Sequence, residues 1–191
     1  MVSISFLFYC FIVTFTPGPT NLIILSTVQQ TNVKCAMRYT YGATLAFALL
    51  LMASATLNTA LQESIPKMIW LMQVMGSAYM LYLAYHLMKP GVVNDVQQVN
   101  GQFRSGFLMQ FLNPKVVLFT MTVLPTFVLP HYTTFGKIAW SIVVVTFIGF
   151  SAFVTWVVFG TIFKQFLQRH EAIFNKLMAA FLVYCAAMIW L

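Results

Sequence analysis

Two short tracts of this chain interrupt stretches that are otherwise continuously apolar. The first is Thr16–Pro17–Gly18–Pro19, followed by Thr20 and Asn21; the second is Asn113–Pro114–Lys115. Each proline removes a backbone N–H, and its ring collides with an earlier carbonyl, so neither tract sustains a regular helix. A helix broken in this way offers groups that an intact one hides. Beyond the break, a fresh N-terminus presents N–H donors and the positive end of a dipole, which suit a carboxylate. Before it, freed carbonyls can accept from an ammonium group. Asn21 and Asn113 add amides, Thr16 and Thr20 add hydroxyls, and Lys115 offers a cation to a carboxylate or to a gate. The set suits a zwitterion, the form of a neutral amino acid. Two plainer readings stand beside this one: prolines that only kink a helix for packing, and a Lys115 that snorkels to the inner headgroups.

The remaining reactive residues narrow the chemistry. Glu63, Asp95 and Glu171 are the only carboxylates, and all fall in expected loops or at helix ends. With none at mid-membrane to pair a second cationic group, a neutral substrate is expected over lysine or arginine. The same absence leaves no evident carboxylate for a proton relay, and His86 and His131 lie at a helix end and in a loop. Cys10, Cys35 and Cys185 are far apart and lack ligand spacing, so neither a disulfide framework nor a metal site is expected. They read as apolar filler inside helices. No acidic metal motif or nucleophile–base pair points to an enzyme, and no cofactor is implied. Tyr79 and Tyr82 can line a cavity through their hydroxyls.

The elements that must position these groups follow from composition. Of 191 residues, 61% are hydrophobic and 7% charged, where a soluble domain carries about 25% charged residues. A bilayer core needs about 20 apolar helical residues, and stretches of that length recur at 4–28, 39–61, 67–87, 104–129, 135–163 and 172–191. The first has no charged residue through position 33, so it lacks a basic signal-peptide start and reads as a retained helix. Ser64 and Pro66 suit the start of the third helix, and Lys89–Pro90–Gly91 its end. Gly42, Ala46, Gly149 and Ser151 suit close helix contact, and Trp70 and Trp190 suit interfacial anchors.

The net charge of +7 comes from single, scattered Lys and Arg, which build no nucleic-acid surface. Seven of them fall in the first, third and fifth loops and two in the second and fourth. The positive-inside rule then places both termini outside. The expected fold is an all-α integral membrane protein. It is one domain over 1–191, with six transmembrane helices arranged as two inverted three-helix repeats. The halves are approximately 1–90 and 104–191, joined by a linker at 91–103, and the first and fourth helices are broken. Paired breaks of this kind are the sequence signature of inverted-repeat transporters.

At Thr16–Pro17–Gly18–Pro19 and Asn113–Pro114–Lys115 the chain resembles the LysE/RhtB family of amino acid exporters. The resemblance covers essentially the whole chain, including Gly76–Ser77–Ala78–Tyr79–Met80–Leu81–Tyr82–Leu83. Thr126–Phe127–Val128–Leu129–Pro130 and Leu182–Val183–Tyr184–Cys185–Ala186 are similar to its cysteine/O-acetylserine branch. The resemblance implies export of small neutral amino acids or derivatives through the bacterial inner membrane, driven by the proton gradient. Cysteine and O-acetylserine are the first candidates, with homoserine- or threonine-like substrates beside them, and a homodimer is the expected assembly. By matching positions, Thr16, Pro17, Gly18, Pro19 and Asn21 form one side of the site, and Asn113, Pro114 and Lys115 the other. The chain departs from the pattern at Thr20, where the family commonly carries asparagine. A non-transporting subunit of a membrane complex and a channel for small metabolites are the alternative readings.

Overall fold

The computed structural model describes residues 4–56, 102–188 and 190, together with 74, 75, 77, 78, 80–82, 84, 85 and 88. All regular structure among the described residues is helical. The elements are α1 (Ile4–Phe15), α2 (Pro19–Gln30), α3 (Val33–Thr56), α4 (Phe103–Leu112), α5 (Pro114–Phe127), α6 (Phe135–Ile162), α7 (Lys164–Arg169) and α8 (Glu171–Met188). The described residues between 74 and 88 are helical too and belong to the third expected span. Trp70, the Ser64 and Pro66 start, the Lys89–Pro90–Gly91 stop and nearly all of the linker lie outside the described residues.

Both breaks occur where the prolines demand them. The axes of α1 and α2 bend by 47°, and those of α4 and α5 by 68°. Pro19 and Pro114 each open the second half-helix, a position where the absent N–H has no intrahelical partner to lose. Helices α3 and α6 are each long and apolar enough to cross a membrane, and so is each bent pair taken as one span. Large apolar side chains such as Phe135, Trp140 and Phe147 stand exposed at 85%, 65% and 67%, as a lipid-facing surface requires.

Two boundaries differ from the sequence expectation. Helix α3 begins at Val33, ahead of the apolar run at 39, because Asn32 accepts from the Cys35 N–H at 2.9 Å and caps it. Lys34 and Arg38 are good helix formers, so hydropathy marks where lipid begins and not where the helix does. The short α7 occupies residues expected to be loop.

Helix α3 is central, packing on α2, α4, α5 and α6. Its crossing with α4 is the tightest contact of the fold. A Cβ built on Gly42 would lie 2.0 Å from the Phe103 carbonyl oxygen, and one on Gly106 2.0 Å from that of Tyr39. Only paired glycines let these two backbones touch. The expected role of Gly42 is met here, and Gly149 similarly lies under the Phe47 ring.

Burial divides into two apolar clusters. One holds Ile24 and Val28 of α2, Tyr39 and Ala43 of α3, Met109 of α4, Phe153 and Val157 of α6, and Leu182 of α8, with Met80 and Ala84. The other holds Phe6 and Cys10 of α1, Phe47 and Leu51 of α3, Phe119 and Leu124 of α5, and Val145 of α6. Across the first break the chain passes from the second cluster to the first; across the second break it passes the opposite way. Helices α3 and α6 then cross between the clusters in opposite senses. Ser77 donates to the Ala186 carbonyl at 3.3 Å and accepts from the Trp190 indole at 2.8 Å, tying the third span to the end of the chain.

Gly42→Ala or Gly106→Ala must force α3 and α4 apart, with an expected cost of about 3 kcal/mol or more. Gly136→Ala, whose Cβ would meet nothing within 4 Å, is expected to be neutral or to stabilise by up to about 1 kcal/mol. Thermal melts of the purified variants in detergent check this, and equal melting of all three would remove the crossing from the account.

Candidate functional site

The break ending α1 leaves carbonyls without their helical donors. In an uninterrupted helix, the N–H groups of residues 18, 19 and 20 would serve Thr14, Phe15 and Thr16 in turn. Side chains from three other elements replace them. The Asn21 amide of α2 donates to the Thr14 and Thr16 carbonyls at 3.1 and 3.0 Å. The Trp156 indole of α6 donates to the Phe15 carbonyl at 3.3 Å. The Lys115 ammonium of α5 donates to the Thr16 carbonyl at 2.9 Å.

Lys115 therefore turns in to the break, where a snorkelling side chain would turn out. Its placement at the carbonyl end of α1 also opposes a cation to the negative end of that helix dipole. Gly18 makes room for it: an added Cβ would stand 3.2 Å from Lys115 Cδ and 3.3 Å from Nζ. The backbone of Gly18 is extended, with φ of −165°, so close approach and not conformation is what requires glycine there. The freed carbonyls, read from sequence as ammonium acceptors, are engaged by the protein's own donors.

The second break is joined to the first by a buried polar chain. Asn113 is the N-cap residue of α5, yet its side chain makes no cap. Instead its Nδ2 donates to the Thr20 hydroxyl at 2.8 Å, and that hydroxyl donates to Gln110 Oε1 at 3.4 Å. Thr20, Asn113 and Gln110 are 3%, 2% and 0% exposed. Gly18, the N-cap residue of α2, supplies no side chain either, so both half-helices present uncapped first turns. Among the described residues, Asn21 Oδ1, Asn113 Oδ1 and Gln110 Nε2 are buried with no hydrogen-bond partner. Each such group costs about 1–3 kcal/mol where it stands, and intramembrane polar groups held at that cost mark a ligand path.

Gly18, Thr20, Asn21, Asn113 and Lys115 line one cavity of about 360 Å³, part of it open to the surroundings. Its apolar walls come from Phe47, Phe119 and Phe153, with Val13 and Val116. Pro19 and Pro114 are buried as the first residues of their half-helices, while Thr16 and Pro17 face outward. Thr16 contributes its carbonyl, and its hydroxyl returns to the Ile12 carbonyl of its own helix. Tyr82 stands 44% exposed and is not among the cavity-lining residues; Tyr79 lies outside the described residues.

Sequence reasoning missed Gln110, Trp156 and the phenylalanine walls. Gln110, a lone amide in an apolar run three residues before Asn113, was a readable signal. So was Trp156, a tryptophan deep in a span and away from the interfacial belts where it is usual. Nothing distinguishes Phe47, Phe119 and Phe153 among the 19 phenylalanines of the chain.

A family model described as LysE type translocator matches residues 11–191. The chain is similar to proteins named cysteine/O-acetylserine efflux protein from Escherichia coli (strain K12), Shigella sonnei (strain Ss046) and Shigella flexneri. Each is 29% identical over 187 residues, which is 97% of this chain and 96% of the relative. No solved structure matches.

Asn21→Leu keeps the side-chain volume but strips the Thr14 and Thr16 carbonyls of their amide donor. The expected loss is about 2–4 kcal/mol in the absence of any ligand. Thr122→Val, which removes a hydroxyl bonded only within its own helix, should change stability by less than about 0.5 kcal/mol. Denaturation of the two purified variants compares them directly, and an Asn21→Leu protein as stable as wild type would show that the break does not need this amide.

Proposed function

The chain belongs to the LysE type translocator family, and on that footing we propose that it exports small neutral amino acids or their derivatives across the bacterial inner membrane. The observation that carries this reading is the convergence of two uncapped half-helix N-termini, at Gly18 and Asn113, on one cavity. The names of its relatives make cysteine and O-acetylserine the first substrates to try.

In this reading the substrate carboxylate sits against the first turns of α2 and α5, where N–H groups and two dipole ends face it. The Lys115 ammonium adds a full positive charge at the same place. The substrate ammonium is received by Asn21 Oδ1 and Asn113 Oδ1, the two buried amide oxygens that the protein leaves unpartnered among its described residues. The two poles of a zwitterion are thereby matched, and the side chain is left to the phenylalanine walls. Thr20, in place of the asparagine common in the family, holds the Asn113 amide and so aims its oxygen.

Six spans in two inverted three-helix repeats, with both termini outside, give the transport cycle. The opposite order in which the two breaks pass between the apolar clusters supports the inversion. The breaks then lie at the junction of the halves, and rocking of one half on the other opens the cavity to each side in turn. The driving force in this reading is the proton gradient.

Asn113→Ala removes both an acceptor for the ammonium and the donor that ties the breaks together. Export of radiolabelled cysteine or O-acetylserine from cells producing the variant should fall to background at wild-type membrane abundance. Wild-type export should be saturable and sensitive to a proton uncoupler. Full export by Asn113→Ala would take this residue out of the site, and non-saturable flux would indicate a channel.

A further inference from the structure

The polar groups of the cavity fix the backbone end of a substrate, so what meets its side chain decides which substrates fit. That surface is made by Phe47, Phe119 and Phe153. Phe47 is 2% exposed and Phe119 4%, and their rings are stacked with centroids 6.0 Å apart and planes within 6°. On its other side Phe47 lies against α6 at Gly149. A Cβ there would come within 2.8 Å of its Cε1 and 3.1 Å of its Cδ1. The ring is thus wedged between a glycine and a second buried ring, itself backed by Tyr9 at 5.7 Å. Gly149 and Phe153 are four residues apart, on one face of α6. That helix therefore yields space at one turn, which Phe47 fills, and takes it back at the next.

Resting on the amino acid export proposed above, we infer that Gly149 sets the largest side chain the transporter accepts, by fixing how far the Phe47 ring recedes from the cavity. Gly149 is a positioning residue: it lies outside the cavity lining and acts only through Phe47. A methyl group at 149 collides with the ring edge. The ring cannot retreat into α6 or through Phe119, so it moves toward the cavity, the one side not filled by protein. Short side chains still fit. Longer ones lose contact area or clash, and a difference of one methylene in an apolar pocket is worth about 10- to 200-fold in discrimination.

The test is transport by purified protein in proteoliposomes, over alanine, serine, cysteine, O-acetylserine and methionine. Gly149→Ala is expected to lower the rate ratio of the largest to the smallest transported member by about tenfold or more, while the smallest is still carried. Adding Phe47→Leu to Gly149→Ala should restore the larger members, because the shortened wall no longer reaches the cavity. Phe47→Leu alone should shift the profile toward larger side chains, which keeps the inference testable if Gly149→Ala does not fold. A uniform fall across the panel, an unchanged profile, or failure of Phe47→Leu to restore the larger members would overturn it. If wild type carries none of the five, the export reading fails and this inference falls with it. If wild type carries them and the variants do not change the size profile, only the role of Gly149 is lost.

Discussion

A peptide carbonyl inside a bilayer has no water to bond with, so a helix that stops there must find donors within the protein. The break after α1 frees three carbonyls in succession, and the chain answers with an amide from α2, an indole from α6 and an ammonium from α5. Each of these bonds does two things. It satisfies a backbone group, and it fastens another helix to the break. The position of the cavity, its charge and the helices that surround it all follow from this one requirement.

The donors are used up by the backbone, and that fixes what is left for a ligand. Asn21 spends its amide nitrogen on α1 and keeps its oxygen; Asn113 spends its nitrogen on Thr20 and keeps its oxygen. The first turns of α2 and α5 go uncapped because Gly18 has no side chain to offer and Asn113 points across the molecule. An arrangement that closed the breaks and nothing more would cap these turns. This one leaves acceptors and dipole ends facing a common space. The glycine crossing of α3 and α4 holds the frame around it, since the contact is backbone to backbone and leaves little freedom for drift.

The breaks themselves were legible in the sequence because proline acts locally: a missing N–H and a colliding ring do not depend on the fold. Asn21, Asn113 and Lys115 were legible for a similar reason, as polar residues beside the breaks in apolar spans. Their partners were not. By local preference Asn113 would cap its own helix, and only the packing of α2 against α4 and α5 turns it to Thr20. Lys115 could reach headgroups or the break, and the choice is made by the room that Gly18 leaves 97 positions earlier in the chain. Trp156 and the phenylalanine walls act through contacts between helices distant in sequence, which neither period nor composition encodes. Helix starts such as Val33 were misplaced because hydropathy reads the solvent and the backbone reads its cap.

The central claim is that the two half-helix N-termini, with Lys115, recognise a carboxylate while the buried amide oxygens recognise an ammonium. Ligand-induced thermal stabilisation of the purified protein tests this most directly, with cysteine and O-acetylserine compared with their carboxamides and their 2-hydroxy acid analogues. The account predicts that the zwitterions raise the melting temperature and that both analogue series fail to. Stabilisation by the carboxamides equal to that by the amino acids would contradict it, since nothing would then be bound at the helix N-termini.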